Sequence, residues 1–167
     1  MTSSRRLLIL GGALLAVVGM AYGLYYALFV EHQTLDRMGG SLAQAFSAAA
    51  ARDASSPEAL RQYRETKYDY IRQVDAHSHW LGLAMLMIVL GVLFDRVNFS
   101  ERNRQALASC LLAGSAIFPS AVLLQTLYHD NFVFKVLAVA GSGLVMAGLA
   151  ATAWGLARAV TLESPGE

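Results

Sequence analysis

Trp80-Leu-Gly-Leu-Ala-Met-Leu-Met-Ile-Val-Leu-Gly-Val-Leu-Phe94 carries no charge and stops at Asp95 and Arg96. A helix needs about 20 mostly apolar residues to cross a hydrocarbon core of about 30 Å. This run has 15, so it spans only by taking in Ala76, His77, Ser78 and His79. The stretch 76–94 is then a membrane helix with two histidines at its mouth. Three longer apolar runs accompany it: Leu7–Val30, Ala106–Tyr128 and Phe132–Leu156. Four spans in one chain predict an all-α fold, an integral membrane four-helix bundle formed by a single domain, 1–167.

Composition agrees. Of 167 residues, 56% are hydrophobic and 15% charged, against roughly 25% charged in soluble domains. The net charge of +1 provides no basic field for nucleic acid. Cys110 is the single cysteine. It excludes an internal disulfide and any Cys-x-x-Cys motif, and reads as a small buried apolar residue.

The first run follows Arg5 and Arg6 as a signal peptide would. Its 24 residues exceed a signal core, and no small-x-small site follows cleanly, so it reads as a retained anchor. Within it, Gly19-x-x-x-Gly23 marks a close helix contact. Pro119 predicts a kink in the third span. Lys135 sits one turn into the fourth span and can snorkel outward. Only His129, Asp130 and Asn131 join spans three and four, which implies a tight antiparallel hairpin.

With the N-terminus in the cytoplasm, Arg5, Arg6, Arg96, Arg102, Arg104 and Arg158 lie inside in short segments. Arg37, Arg52, Arg61, Arg64, Lys67, Arg72 and Lys135 lie outside. Most of these are spread along a 45-residue segment that also holds seven acids. The concentration of arginines orients both termini to the cytoplasm. The segment 31–75 is then extracytoplasmic and patterned as helix. Ser41 with Gln44 fits a capping box, starting a short helix through Ala51 with Leu42, Phe46 and Ala49 on one face. Ser56 caps a second helix, with Pro57 and Glu58 in its first turn. Leu60, Tyr63, Lys67, Tyr70, Val74, His77 and Leu81 follow at alternating spacings of three and four, the stripe of a packed helix. One long helix from Pro57 to Phe94 results.

Antiparallel threading brings all four histidines, His32, His77, His79 and His129, to one membrane surface. Ionisable groups at membrane depth are costly and mark function. Imidazole is a common metal ligand and a haem axial ligand; it is also an amphipathic group at home at an interface. His77 and His79 are two residues apart, so they point about 200° from each other around a helix. His77 shares its face with Leu81, Ala84, Ile88 and Gly91, and small residues mark helix contacts, so it faces the bundle interior. His79, with Leu83, Leu86 and Leu90, faces lipid, a second cofactor or a partner subunit. Gln125 and Thr126 stand near His129. Glu31, Asp36, Asp75 and Asp130 gather on the histidine side as a solvated rim. Tyr63, Tyr68, Tyr70, Tyr128 and Trp80 fit an interfacial aromatic belt.

Asp75-Ala-His-Ser-His-Trp-Leu-Gly-Leu83 resembles the His-x-His opening of a membrane helix in small four-span bacterial membrane proteins. It also resembles the His-x-His helix of haem-copper oxidases and nitric oxide reductases. The resemblance covers about 20 residues and implies that His77 and His79 ligate haems on opposite helix faces. It also implies a bacterial inner (cytoplasmic) membrane protein. Far fewer spans are present than in an oxidase core, and no three-histidine copper site can be assigned.

Three functions follow as expectations. The first is a b-type haem protein or haem-binding subunit of a membrane electron-transfer complex, with His77 paired to His129 or His32 and His79 serving a second site. The second is an extracytoplasmic copper or zinc site built from His32, His77, His79 and His129 with nearby carboxylates. The third is a cofactor-free structural subunit docking a larger complex. The partners are the lipid bilayer and other membrane subunits or a second copy. No nucleophile–base pair or phosphate loop points to a soluble-type enzyme, and no midplane helix break points to a transporter.

Overall fold

A computed structural model describes residues 2–129 and 131–163. Asp130, one of the rim acids, lies outside the described residues. Five α-helices follow one another: α1 Ser3–Phe29, α2 Glu31–Ala50, α3 Ser56–Leu93, α4 Glu101–Leu127 and α5 Phe132–Glu163, with a 3₁₀ turn Phe94–Arg96 between α3 and α4. Helices α1, α3, α4 and α5 are long and apolar enough to cross a membrane. The chain is an all-α, multi-pass membrane protein.

Small residues decide how the spans pack, since apolar side chains are no better off against one another than against lipid. A Cβ on Gly12 would lie 2.9 Å from the Ala84 carbonyl, and one on Gly19 would lie 3.0 Å from Trp80 Cβ. On α3, Gly91 meets Leu8 and Ile9 of α1 in the same way. The buried face of α3 in the membrane is Ala76, Trp80, Ala84, Met87 and Gly91. At Ala76 and Trp80 that is one residue before the stripe read from the sequence, whose Leu60, Val74 and Lys67 are exposed. The offset arises because α3 is wedged between α1 and α4, and the line between two neighbours is the one fully covered. α4 and α5 meet through Gly114 and Gly141: a Cβ on Gly141 would sit 2.7 Å from Phe118 N. The approach falls beside Pro119, which is buried inside α4. α5 packs principally on α4, so its other faces and most of α1 are left for the bilayer.

One end of the spans is closed by a polar plate. Thr2 caps α1, accepting from Arg5 N, and its hydroxyl donates to Asp95. Arg5 pairs with Asp95 at 3.0 Å. Glu101 accepts from the Ser4 backbone N–H at 3.0 Å and pairs with Arg104 at 3.0 Å. Asn98 N donates to Gly155 O. The start of α1, the α3–α4 turn and the last turns of α5 therefore share one surface. Four crossings have returned the chain to the side it started from.

At the opposite end, α2 and the first half of α3 form a helical hairpin. α2 starts at Glu31 immediately after the break at Val30 (φ −121°, ψ −44°). Ser41 therefore does not cap a helix: it is buried in mid-helix, and its hydroxyl donates to Met38 O. Glycines cost a helix about 1 kcal/mol each and need not end it, and Gly39 and Gly40 are carried through. The face of α2 that packs on α3 is Thr34, Ser41, Ala45 and Ala48, while Phe46 of the expected face is 70% exposed. Small side chains let the helices close up, and Leu42 and Phe46 are too large to serve there. α2 ends in a Schellman motif: Asp53 N donates to Ala48 O and Arg52 N to Ala49 O, with Arg52 at φ 56°. Ser55, not Ser56, is the residue before α3. The Ser56 hydroxyl instead donates to Ala45 O, tying the hairpin together. α3 then runs unbroken for 38 residues, about 57 Å at 1.5 Å per residue, nearly twice the roughly 30 Å of a hydrocarbon core.

Candidate functional site

The four histidines do not gather at one level: His129 and His32 lie near the end of the spans where α4 turns into α5, whereas His77 and His79 sit several turns deeper, against Gly19 and Phe118. Cys110 of α4, expected to be buried, is exposed. His77 enters the seam between α3 and α1. Its Nδ1 is 3.0 Å from the Gly19 carbonyl. Its ring lies so close to Gly23 that a Cβ there would be 2.2 Å from Cε1. The Gly19-x-x-x-Gly23 pair is thus the seat of this imidazole: one residue contributes the acceptor and the other the space. A carbonyl oxygen only accepts, so Nδ1 is the donor in this contact, and in the neutral ring Nε2 is then the acceptor.

His79 leaves the opposite side of α3, as a separation of about 200° requires. It is exposed and rests on Phe118 of α4, ring centroids 4.7 Å apart. Leu86 and Leu90 below it pack into the core formed with Leu111 of α4. This face of α3 therefore meets α4 of the same chain.

His129 follows the end of α4. Its Nε2 lies 2.8 Å from Asp69 Oδ1, and its ring stands 6.0 Å from that of Tyr68. Asp69 precedes His77 by eight residues, so the point where His129 meets α3 is about 12 Å along the helix from His77. Gln125 is buried, accepts from Tyr68 OH and donates to Phe134 O. It reaches the His129 neighbourhood through Tyr68. His32 lies in the first turn of α2, 88% exposed, with Asp36 at 3.5 Å. These placements do not bring His77 together with His129 or His32. Among the described residues no group of three or more His, Cys, Asp or Glu is placed to hold a metal ion.

The chain matches no protein-family model, no curated protein and no solved structure. The site must be read from its own geometry.

Among the described residues, two of the cavities open toward the end of the spans where α4 turns into α5. The larger, about 510 Å³, is basic: Arg61, Arg64, Arg72, Lys135 and His129 surround Tyr68, with Glu65 as the one acid. Arg72 stacks on Tyr68 at 5.1 Å, which suits a planar cation. Arg61 is held by Glu58 and Glu65, both at 2.6 Å. That pairing raises the guanidinium's pKa and lowers that of Glu58. The smaller, about 330 Å³, lies between α1, α3 and α4 and is lined by Tyr22, Tyr25, Tyr26, Val30, Gln73, Leu123, Thr126 and Leu127. Tyr22, Tyr26 and Gln73 belong to no motif in the sequence. The recurrence of tyrosine at 22, 25 and 26 on one span was the available signal, but nothing in it brings Gln73 alongside.

Proposed function

We propose that this chain is a bacterial inner-membrane protein, both termini cytoplasmic, that carries haem b in a membrane electron-transfer system with His77 as an axial ligand. The observation behind the choice of His77 is the contact of its Nδ1 with the Gly19 carbonyl at 3.0 Å. A backbone carbonyl fixes Nδ1–H, which orients the ring and leaves Nε2 as a donor to iron, the usual outer support of a ligating histidine. The Gly23 contact removes rotational freedom from the same ring. On this reading the α2–α3 hairpin is extracytoplasmic, and the short arginine-bearing plate of Arg5, Arg96 and Arg104 is cytoplasmic. His79, exposed on the other face of α3, serves a second site. His129, held by Asp69, is the remaining candidate for a ligand.

The experiment is an absorption spectrum of detergent-purified protein made with ample haem, oxidised and reduced. A Soret band with reduced α and β bands, abolished in His77→Ala and kept in His32→Ala, supports the proposal. A featureless visible spectrum overturns it. Metal analysis of that same sample then separates a copper or zinc site from a cofactor-free subunit.

A further inference from the structure

Two residues that line the smaller cavity each carry a buried polar atom with no hydrogen-bond partner among the described residues. Tyr26 is only 6% exposed, and its hydroxyl is buried with no hydrogen-bond partner among the described residues. Gln73 Oε1 is in the same condition. Both residues line the one cavity. A buried polar group without a partner is destabilising, and its persistence calls for an explanation such as an absent ligand or ion.

The remaining walls narrow the ligand's chemistry. Tyr22 stacks near Tyr26, centroids 6.3 Å apart and planes 24° from parallel, so one wall is aromatic and suits a flat ring. Val30, Leu123 and Leu127 make most of the rest apolar, and the Thr126 hydroxyl is spent on Leu123 O. Leu127 is 70% exposed and Tyr25 56%, so the rim opens where the last turns of α1 and α4 meet the bilayer boundary. A phenolic hydroxyl donates and accepts, whereas an amide oxygen only accepts. The matching ligand therefore carries at least one hydroxyl on a planar ring, plus an apolar tail that leaves between Leu127 and Tyr25 into lipid. The volume of about 330 Å³ is at the low end of ligand pockets, enough for one substituted ring. No anionic group is indicated, because the basic residues line the other cavity.

We propose that this cavity binds the head ring of a membrane quinol, with one ring hydroxyl donating to Gln73 Oε1 and another accepting from Tyr26 OH. None of the lining residues is a histidine, so the site stands whether or not His77 carries haem. Trp80 lies 5.4 Å from Tyr22 in a T-shaped contact, which provides a reporter next to the cavity.

The test uses the full chain in detergent, titrated with a decyl-substituted benzoquinol while tryptophan emission is followed; decanol at the same concentrations is the control. Saturable quenching by the quinol, absent with decanol, is expected. Tyr26→Phe and Gln73→Met, which keep volume but remove the polar atoms, weaken binding at least tenfold each. Without ligand they melt at or above the wild-type temperature, because each removes an unpartnered group. Absence of saturable binding, equal quenching by decanol, or wild-type affinity in both variants overturns the proposal. So does a lowered melting temperature in both unliganded variants, since the polar atoms would then be satisfied by water alone.

Discussion

Replacing Gly23 by alanine tests the seat of His77 directly. The added Cβ would stand 2.2 Å from Cε1, 2.6 Å from Nδ1 and 2.9 Å from Nε2 of that ring. Carbon atoms rest about 3.5–4.0 Å apart, so the ring must retreat by roughly 1.5 Å. The bond from Nδ1 to Gly19 O, now 3.0 Å, cannot survive that movement. Its loss costs about 1 kcal/mol and overpacking about 1–3 kcal/mol, while alanine returns about 1 kcal/mol of helix propensity. The net destabilisation is about 1–3 kcal/mol. In a His77→Ala background the clash disappears, and Gly23→Ala becomes neutral or stabilising by up to about 1 kcal/mol. The assay is unfolding in mixed micelles by SDS titration, followed by helicity, for the four members of the cycle. Equal effects of Gly23→Ala in both backgrounds would refute the packing of His77 on α1, and with it the Nδ1 contact to Gly19.

Further consequences can be checked with the same unfolding assay. A side chain at Gly141 strikes the backbone at Phe118 N, whereas a Cβ on Gly143 would have nothing within 4 Å. Gly141→Leu therefore destabilises by at least about 2 kcal/mol, and Gly143→Leu is near neutral. Arg52→Gly relieves a left-handed residue at φ 56° and gains about 1 kcal/mol, whereas Arg52→Ala gains nothing. The Asp95 carboxyl is held below its ordinary value first by the Thr2 hydroxyl and then by Arg5. The stability it contributes is present above about pH 4 and is lost as pH falls through the lower folded value. Melting temperatures of wild type and Asp95→Asn should therefore converge on acidification and separate again above that range; parallel curves would contradict the contact. The partly exposed His129–Asp69 pair should show a coupling of only about 0–1 kcal/mol in a double-mutant cycle.

The spans were legible because crossing a bilayer demands a long apolar run, and little else in a sequence looks like one. That the helix continues back through His77 and His79 was legible for the same reason: Trp80–Phe94 is too short alone. The continuity of α3 was readable from a spacing that never breaks. The start of α2 was not, because Gly39-Gly40 followed by Ser41 has the local chemistry of a break and a cap, and tertiary packing of Ser41 against α3 overrides it. The covered line of α3 was caught at Ala84 and Gly91 but passes through Ala76 and Trp80 rather than His77 and Leu81, since periodicity gives a face and only the neighbouring helices decide its centre. The opposite outlooks of His77 and His79 followed from helix geometry, but what each touches depended on α1 and α4. The cavity of Tyr22, Tyr26 and Gln73 draws on three helices distant in sequence, and no local pattern announces it.

The unbroken passage of α3 out of the membrane couples two surroundings that would otherwise be independent. No glycine or proline lies between Glu58 and Leu81, so the boundary has no joint. The outer arm from Ser56 to Asp75 is about 30 Å long, and a tilt of about 10° displaces its tip by about 5 Å. That displacement passes into the apolar part of the helix as a rotation or slide of the stretch bearing His77 and His79. Whatever grips the hairpin from outside, pulling on Phe46 or the arginines above it, is therefore mechanically in series with the imidazoles below.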